Sequence, residues 1–233
     1  MSNTDPESSG PAAARGGPGA RLPRAGGPAG QGRGRPISVA ITGGIGAGKS
    51  TALSAFRRQG AATVSSDEIV HHLLRSDDEV RRALIDRLGE GIVGDDGQID
   101  RSRVGDIVFR DRKLLAWLEE LLHPRVAREY LEWRQRLAEL PDPPAVCVTE
   151  VPLLYEAGGE ERFDVVVALT ASPRIRARRG RPVPEARAGR QLPDEEKLSR
   201  AHYAYLNNRS LEDLEAFVAG VMSELRQNDS KKT

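Results

Sequence analysis

Nine consecutive residues, Gly43-Gly44-Ile45-Gly46-Ala47-Gly48-Lys49-Ser50-Thr51, fit G-x-x-x-x-G-K-[ST] without a mismatch. The glycines let the backbone fold closely around an anion with successive N–H groups and the start of a helix dipole aimed at it, and polyphosphate is the ligand this spacing suits. Lys49 adds a point charge between β and γ phosphates, and the Ser50 hydroxyl is a hard oxygen ligand suited to Mg²⁺, with Thr51 next, near the α phosphate. Lys49 is expected to face solvent at the loop, where its charge acts on a transferring phosphoryl group. The competing interpretation is a glycine-rich turn in an ordinary strand-turn-helix unit, with Lys49 merely solvated.

The flanks decide between these. Ile37, Val39 and Ile41 alternate with small residues as a short buried strand does, and Leu53 and Phe56 lie three apart in the run from Thr51 to Gln59, at helical spacing. Strand, loop and helix follow in the order a nucleotide-binding loop requires. A second strand is expected at 61–64, leading into Ser65-Ser66-Asp67 at the start of the next helix. Ligands of open α/β sheets lie beyond the carboxyl ends of the strands, so Asp67 is a candidate general base or orienter of a nucleophilic hydroxyl. Helix capping by Ser65, Ser66 or Asp67 is the alternative, and the two are compatible. His71 and His72 are adjacent on one helix and make a poor metal pair, which leaves surface or packing roles.

Further on, the apolar run 145–149 ends at Glu150, where a carboxylate beside a phosphate loop can orient the waters of Mg²⁺. Another buried strand is expected at 164–170. Seven arginines follow it, Arg174, Arg176, Arg178, Arg179, Arg181, Arg187 and Arg190, and their density after a core strand suggests a mobile lid over phosphates. Between these parts, 78–140 reads as an inserted helical block. Asp95-Asp96-Gly97 makes a turn in it, and His123-Pro124 is expected to separate two helices, because proline disfavours helix at the residue before it. Trp117 and Trp133 read as packing residues. A last strand at 203–206 precedes a closing helix capped by Ser210, with Asp213 at its third position.

Composition bounds the rest. The 233 residues suit one sizeable domain, and 35 basic against 34 acidic residues argue against a chain whose main business is coating nucleic acid. Cys147 is the only cysteine, which excludes a disulfide framework, fits a reducing cytoplasm and suggests packing in a strand. No run of 18 apolar residues is present, so no membrane span is expected. Residues 1–35, rich in Gly, Ala, Pro and Arg, cannot offset their ordering entropy and read as a disordered tail, leaving 36–228 as the folded domain.

Taken together, these residues resemble the dephospho-coenzyme A kinases. The likeness runs from about Ile37 to Leu225. It rests on Ile41-Thr42 with the loop, Asp67-Glu68-Ile69, Asp100-Arg101, Val108-Phe109, His123-Pro124, Pro152-Leu153-Leu154-Tyr155-Glu156, and Gln191-Leu192-Pro193 ahead of Glu195-Glu196-Lys197. The resemblance implies an α/β P-loop kinase with a five-stranded parallel sheet of order 2-3-1-4-5 and helices on both faces. It also implies an inserted helical substrate-binding region at about 75–140 and an arginine lid at about 171–190. The implied reaction moves the γ phosphoryl of ATP, with Mg²⁺, to the ribose 3′-hydroxyl of dephospho-coenzyme A. A monomer acting on a small molecule, without nucleic acid or membrane, is expected.

The expected roles are Lys49, Asp67, Arg176, Arg179 and Arg187 in catalysis, 43–51 on the nucleotide, and Ser50 and Glu150 at the metal. Against the family pattern, Ser65 replaces an acid, Glu150 an aspartate, His202 and Leu206 two further aspartates and Arg209 a glycine, and the lid is shorter. These departures support a second reading, a nucleotide-binding relative that acts as a regulator or scaffold. A GTPase is disfavoured, since no N-K-x-D motif is present.

Overall fold

A computed structural model describes residues 20–21, 35–179 and 191–230. The core is a parallel sheet built from β1 (Ile37–Gly43), β2 (Ala62–Ser65), β3 (Val146–Glu150), β4 (Val165–Thr170) and β5 (Tyr203–Leu206), in the spatial order β2-β3-β1-β4-β5. The five parallel strands thus take the expected 2-3-1-4-5 order. Their connections carry α1 (Lys49–Arg58), α2 (Ser66–Ser76), α3 (Asp78–Leu88), α4 (Arg101–Val108), α5 (Arg112–Ala138), α6 (Pro173–Arg179) and α7 (Asp194–Arg200), and α8 (Leu211–Ser230) closes the chain.

Strand alternation explains the layers. Val39 and Ile41 of β1, with Val165, Val167 and Leu169 of β4, join Leu53 and Phe56 of α1 and Phe217, Val221 and Met222 of α8 in one core. Ala40, Val166 and Ala168 point to the opposite face and pack with Ile69 and Leu73 of α2, Tyr130 of α5, and Leu154 and Phe163. Both faces are covered, as apolar parallel strands require. A third cluster, with Val80, Leu84, Ile92, Val104, Val108, Leu115 and Leu122 at its centre, belongs to the helical insertion. Trp117 packs against it, with the Arg87 guanidinium over its ring. Cys147 is buried in β3, and burial pushes its thiol up to about 11.

One expectation is corrected. His123-Pro124 does not separate two helices, because α5 runs unbroken through Pro124. The proline removes one main-chain donor, but Leu115 and Leu122 anchor the helix in the insertion while Tyr130 anchors it on the sheet. The Arg125 side chain also donates to the Leu121 carbonyl at 2.9 Å. Ahead of β1, Arg35 is tied to the sheet. Its guanidinium donates to Asp164 at 2.9 Å, and the same carboxylate accepts from the Ser38 N–H and hydroxyl. Ala20–Arg21 pair antiparallel with the outer edge of β5, opposite Ala204 and Tyr203. The rest of residues 1–34 lies outside the described residues.

The register brings the site together. Gly43 lies beside Leu169, Ile41 beside Glu150, Ser65 beside Glu150, and Thr170 beside Leu206. All five carboxyl ends therefore open on one rim, where a doubly wound sheet places its ligand.

Candidate active site

At that rim β1 turns into α1 through the glycine loop. Gly46 and Gly48 hold φ of 75° and 93°, a region closed to most side chains. Gly48 is the N-cap of α1 and offers no side-chain cap, and the first turn contains no acid. The helix thus begins with main-chain donors and a positive dipole end uncompensated by its own sequence, the arrangement that receives an anion.

Lys49 is not solvent-facing as expected, being only 9% exposed, because the loop curls over it. Its ammonium donates to the Gly44 carbonyl at 3.1 Å, the only hydrogen bond it makes among the described residues. Burial lowers its pKa below the usual lysine value, against an opposing pull from Glu150. A desolvated cation with donors to spare is poised for a phosphate.

The Ser50 hydroxyl lies 3.5 Å from the Glu150 carboxylate. Burial raises the pKa of Glu150, with Lys49 and the Ser50 hydroxyl opposing. Two oxygen donors beside a phosphate loop suit Mg²⁺, which keeps several waters and takes its remaining oxygens from substrate phosphates. Among the described residues there is no His, Cys, Asp and Glu cluster able to hold a metal without a substrate.

The start of α2 shows which residue caps it. Ser65 is the cap, accepting from the Glu68 N–H at 3.0 Å, while the Glu68 carboxylate accepts from the Ser65 N–H at 2.8 Å. Ser66 donates to the Glu150 carbonyl at 2.8 Å, pinning the helix start to the end of β3. Asp67 is left with no capping duty. Its side chain is 73% exposed and receives Arg101 of the insertion at 3.0 Å. Its charge acts on both Lys49 and Glu150. His71 and His72 are exposed, and His72 lies beside the Ser76 hydroxyl at 3.2 Å.

From the other side α6 brings two of the expected lid arginines to the loop. Arg176 lies over Gly44 and Gly46, and Arg179 donates to the Asn207 carbonyl at 3.1 Å. Arg187 lies outside the described residues.

The sequence reading assigned no role to Asn207. It is 2% exposed and donates through Nδ2 to the Ala47 carbonyl at 2.9 Å, tethering the phosphate loop to the end of β5. A Cβ on Gly48 would overlap this amide. Glu156 was likewise read only as part of a motif. It accepts from the Leu192 N–H at 2.8 Å and pairs with the buried Lys197 at 2.7 Å, fastening the segment before α7 to the loop after β3. The only advance signal for either was a polar residue placed immediately after a strand or an apolar run. The departures also sort by position: His202 accepts from the Val166 N–H at 3.0 Å, at the amino end of β4 and away from the rim, whereas Glu150 sits in the site.

A family model described as dephospho-CoA kinase matches residues 37–213. The chain belongs to the dephospho-CoA kinase family. Dephospho-CoA kinases of Protochlamydia amoebophila and Leifsonia xyli are each 37% identical to it, over 81% of this chain and 96% and 98% of theirs. Among solved structures, a protein of Thermus thermophilus superposes with a TM-score of 0.65 at 33% identity, covering 82% of this chain and 98% of its own. A dephospho-CoA kinase from Campylobacter jejuni gives 0.62 at 26% identity with the same coverage. Among the described residues no helix is long and apolar enough to cross a membrane.

Proposed function

We propose that the chain transfers the γ phosphoryl of ATP to the ribose 3′-hydroxyl of dephospho-coenzyme A. The observation that carries this reading is the convergence, on one rim of the sheet, of an uncapped helix start, a buried lysine with unused donors and an exposed carboxylate with no capping role. Residues 43–51 cradle the triphosphate through main-chain N–H groups, and Lys49 bridges its β and γ phosphates. Ser50 would ligate Mg²⁺ and Glu150 would orient its waters, and the ion would neutralise charge on the phosphate oxygens.

Asp67 accepts the proton of the attacking hydroxyl as the new oxygen–phosphorus bond forms and the bond to the β-phosphate oxygen breaks, releasing ADP. Arg101 fixes the orientation of that carboxylate and comes from the insertion, which we assign to the acceptor substrate. Arg176, Arg179 and Arg187 form the charge clamp on the transferring group. The chain works as a cytoplasmic monomer.

The experiment is an incubation of the purified protein with Mg·ATP and dephospho-coenzyme A, with other nucleosides as controls, locating the new phosphate by NMR. A 3′-phosphate, formed by wild type and at least ~10²-fold more slowly by Asp67→Asn, is the expected result. Phosphorylation of the control nucleosides at equal rates would remove the substrate assignment.

A further inference from the structure

Arg176 is held in a way that the proposed chemistry has not yet used. A guanidinium has five N–H donors in a rigid fork. Here Nε donates to the Ala171 carbonyl at 2.7 Å, and Nη2 donates to the Thr170 hydroxyl at 2.6 Å. Nη2 also forms an ion pair with Asp194 of α7. The Thr170 hydroxyl in turn donates to the same Asp194 carboxylate oxygen at 2.7 Å, so acid, hydroxyl and guanidinium close a triangle. Nη1 has no hydrogen-bond partner among the described residues. It lies over the phosphate loop, where a Cβ on Gly44 would come within 2.6 Å of it.

We infer that Asp194, acting with Thr170, is a positioning residue that presents Nη1 of Arg176 to the phosphate on the loop. The inference rests on the proposed reading that this loop holds ATP. Its physical basis is preorganisation: an arginine fixed by three partners on one edge need not be ordered at the moment of transfer, and its free edge points where charge develops. Thr170 ends β4 and Asp194 begins α7, so both anchors stand on regular elements. Helix initiation does not account for Asp194, since Glu195 and Glu196 also supply negative charge to the first turn of α7.

The test is a double-mutant cycle on the full chain. Turnover is measured with Mg·ATP and dephospho-coenzyme A, nucleotide Kd by calorimetry, and fold by circular dichroism. Asp194→Ala is expected to lower kcat by about tenfold or more with nucleotide Kd changed by less than about threefold, the pattern of an interaction made in the transition state. In an Arg176→Ala background the same change is expected to cost nothing further. If Asp194→Ala fails to fold, the isosteric Asp194→Asn carries the cycle.

Equal losses in both backgrounds would mean that Asp194 supports the structure and not Arg176. Tighter nucleotide binding with unchanged kcat would mean that its carboxylate repels phosphate. Either result overturns the inference, as does unchanged turnover in Asp194→Ala when Arg176→Ala is slow. Unchanged turnover in Arg176→Ala itself would instead strike at the proposed role of Arg176 in the clamp.

Discussion

Replacing Asn207 with alanine removes a side-chain tie between the end of β5 and the phosphate loop. The main-chain bonds around it survive, because the Asn207 N–H still reaches Thr170 at 2.7 Å and Arg179 still reaches the Asn207 carbonyl. What is lost is the 2.9 Å bond to the Ala47 carbonyl, which then stays buried without a donor among the described residues, and the weaker 3.4 Å bond that the Asn207 side-chain oxygen accepts from Arg179. Leaving such a group unsatisfied costs about 1–3 kcal/mol. At ~2–4 °C per kcal/mol for a chain of this size, the melting temperature should fall by about 2–12 °C. The loop would also be free to rotate the Ala47–Gly48 peptide away from the phosphates, so nucleotide Kd should rise by up to ~10-fold, or ~1.4 kcal/mol.

Differential scanning fluorimetry with and without Mg·ATP, together with calorimetry, reads both effects. Asn207→Asp keeps the size but aims a carboxylate at the carbonyl, and its loss should be at least as large. A melting temperature and a Kd both unchanged in Asn207→Ala would refute the claim that this amide holds the loop in its binding geometry.

Other outcomes follow from the same geometry. Burial raises the pKa of Glu150 above its ordinary 4.5 even with the attraction of Lys49 included, so its stabilising contribution is present below the unfolded value and lost as pH rises through the folded one. Glu150→Gln should therefore raise the melting temperature of the nucleotide-free protein near pH 7, with the gain vanishing below about pH 4, while turnover falls; an unchanged or lower melting temperature at pH 7 contradicts this. Because Ser65 and not Asp67 caps α2, Asp67→Asn should leave the melting temperature nearly unchanged while kcat drops ~10²-fold, and a destabilised variant of normal specific activity would reverse the assignment. Pro124→Ala restores a main-chain donor inside α5 and should stabilise the protein by about 1–3 kcal/mol, as thermal unfolding would show; a loss of stability would mean that the proline sets a bend on which α5 packs.

The loop, its flanking strand and helix, and the positions of Asp67 and Glu150 at strand ends were all legible in the chain, because each is written in local pattern: glycine spacing, apolar alternation, and a carboxylate after a buried run. Long-range pairing was not. Nothing local to Asn207 says that its amide meets Ala47, and nothing local to Asp194 says that it meets Arg176. Lys49 was misjudged for the same reason: its exposure is set by the curl of the loop over it, and a motif does not encode that curl. Pro124 shows the opposite limit, a strong local signal overridden by helix packing on two cores.

The central claim is phosphoryl transfer through this loop, and the most direct measurement counts ADP and coenzyme A in one time course with Mg·ATP and dephospho-coenzyme A, for wild type and Lys49→Met. Equimolar products from wild type, with turnover abolished in a folded Lys49→Met variant, is the predicted result. Coenzyme A formed at the same rate by both proteins, or nucleotide bound by wild type with no coenzyme A formed, would contradict it.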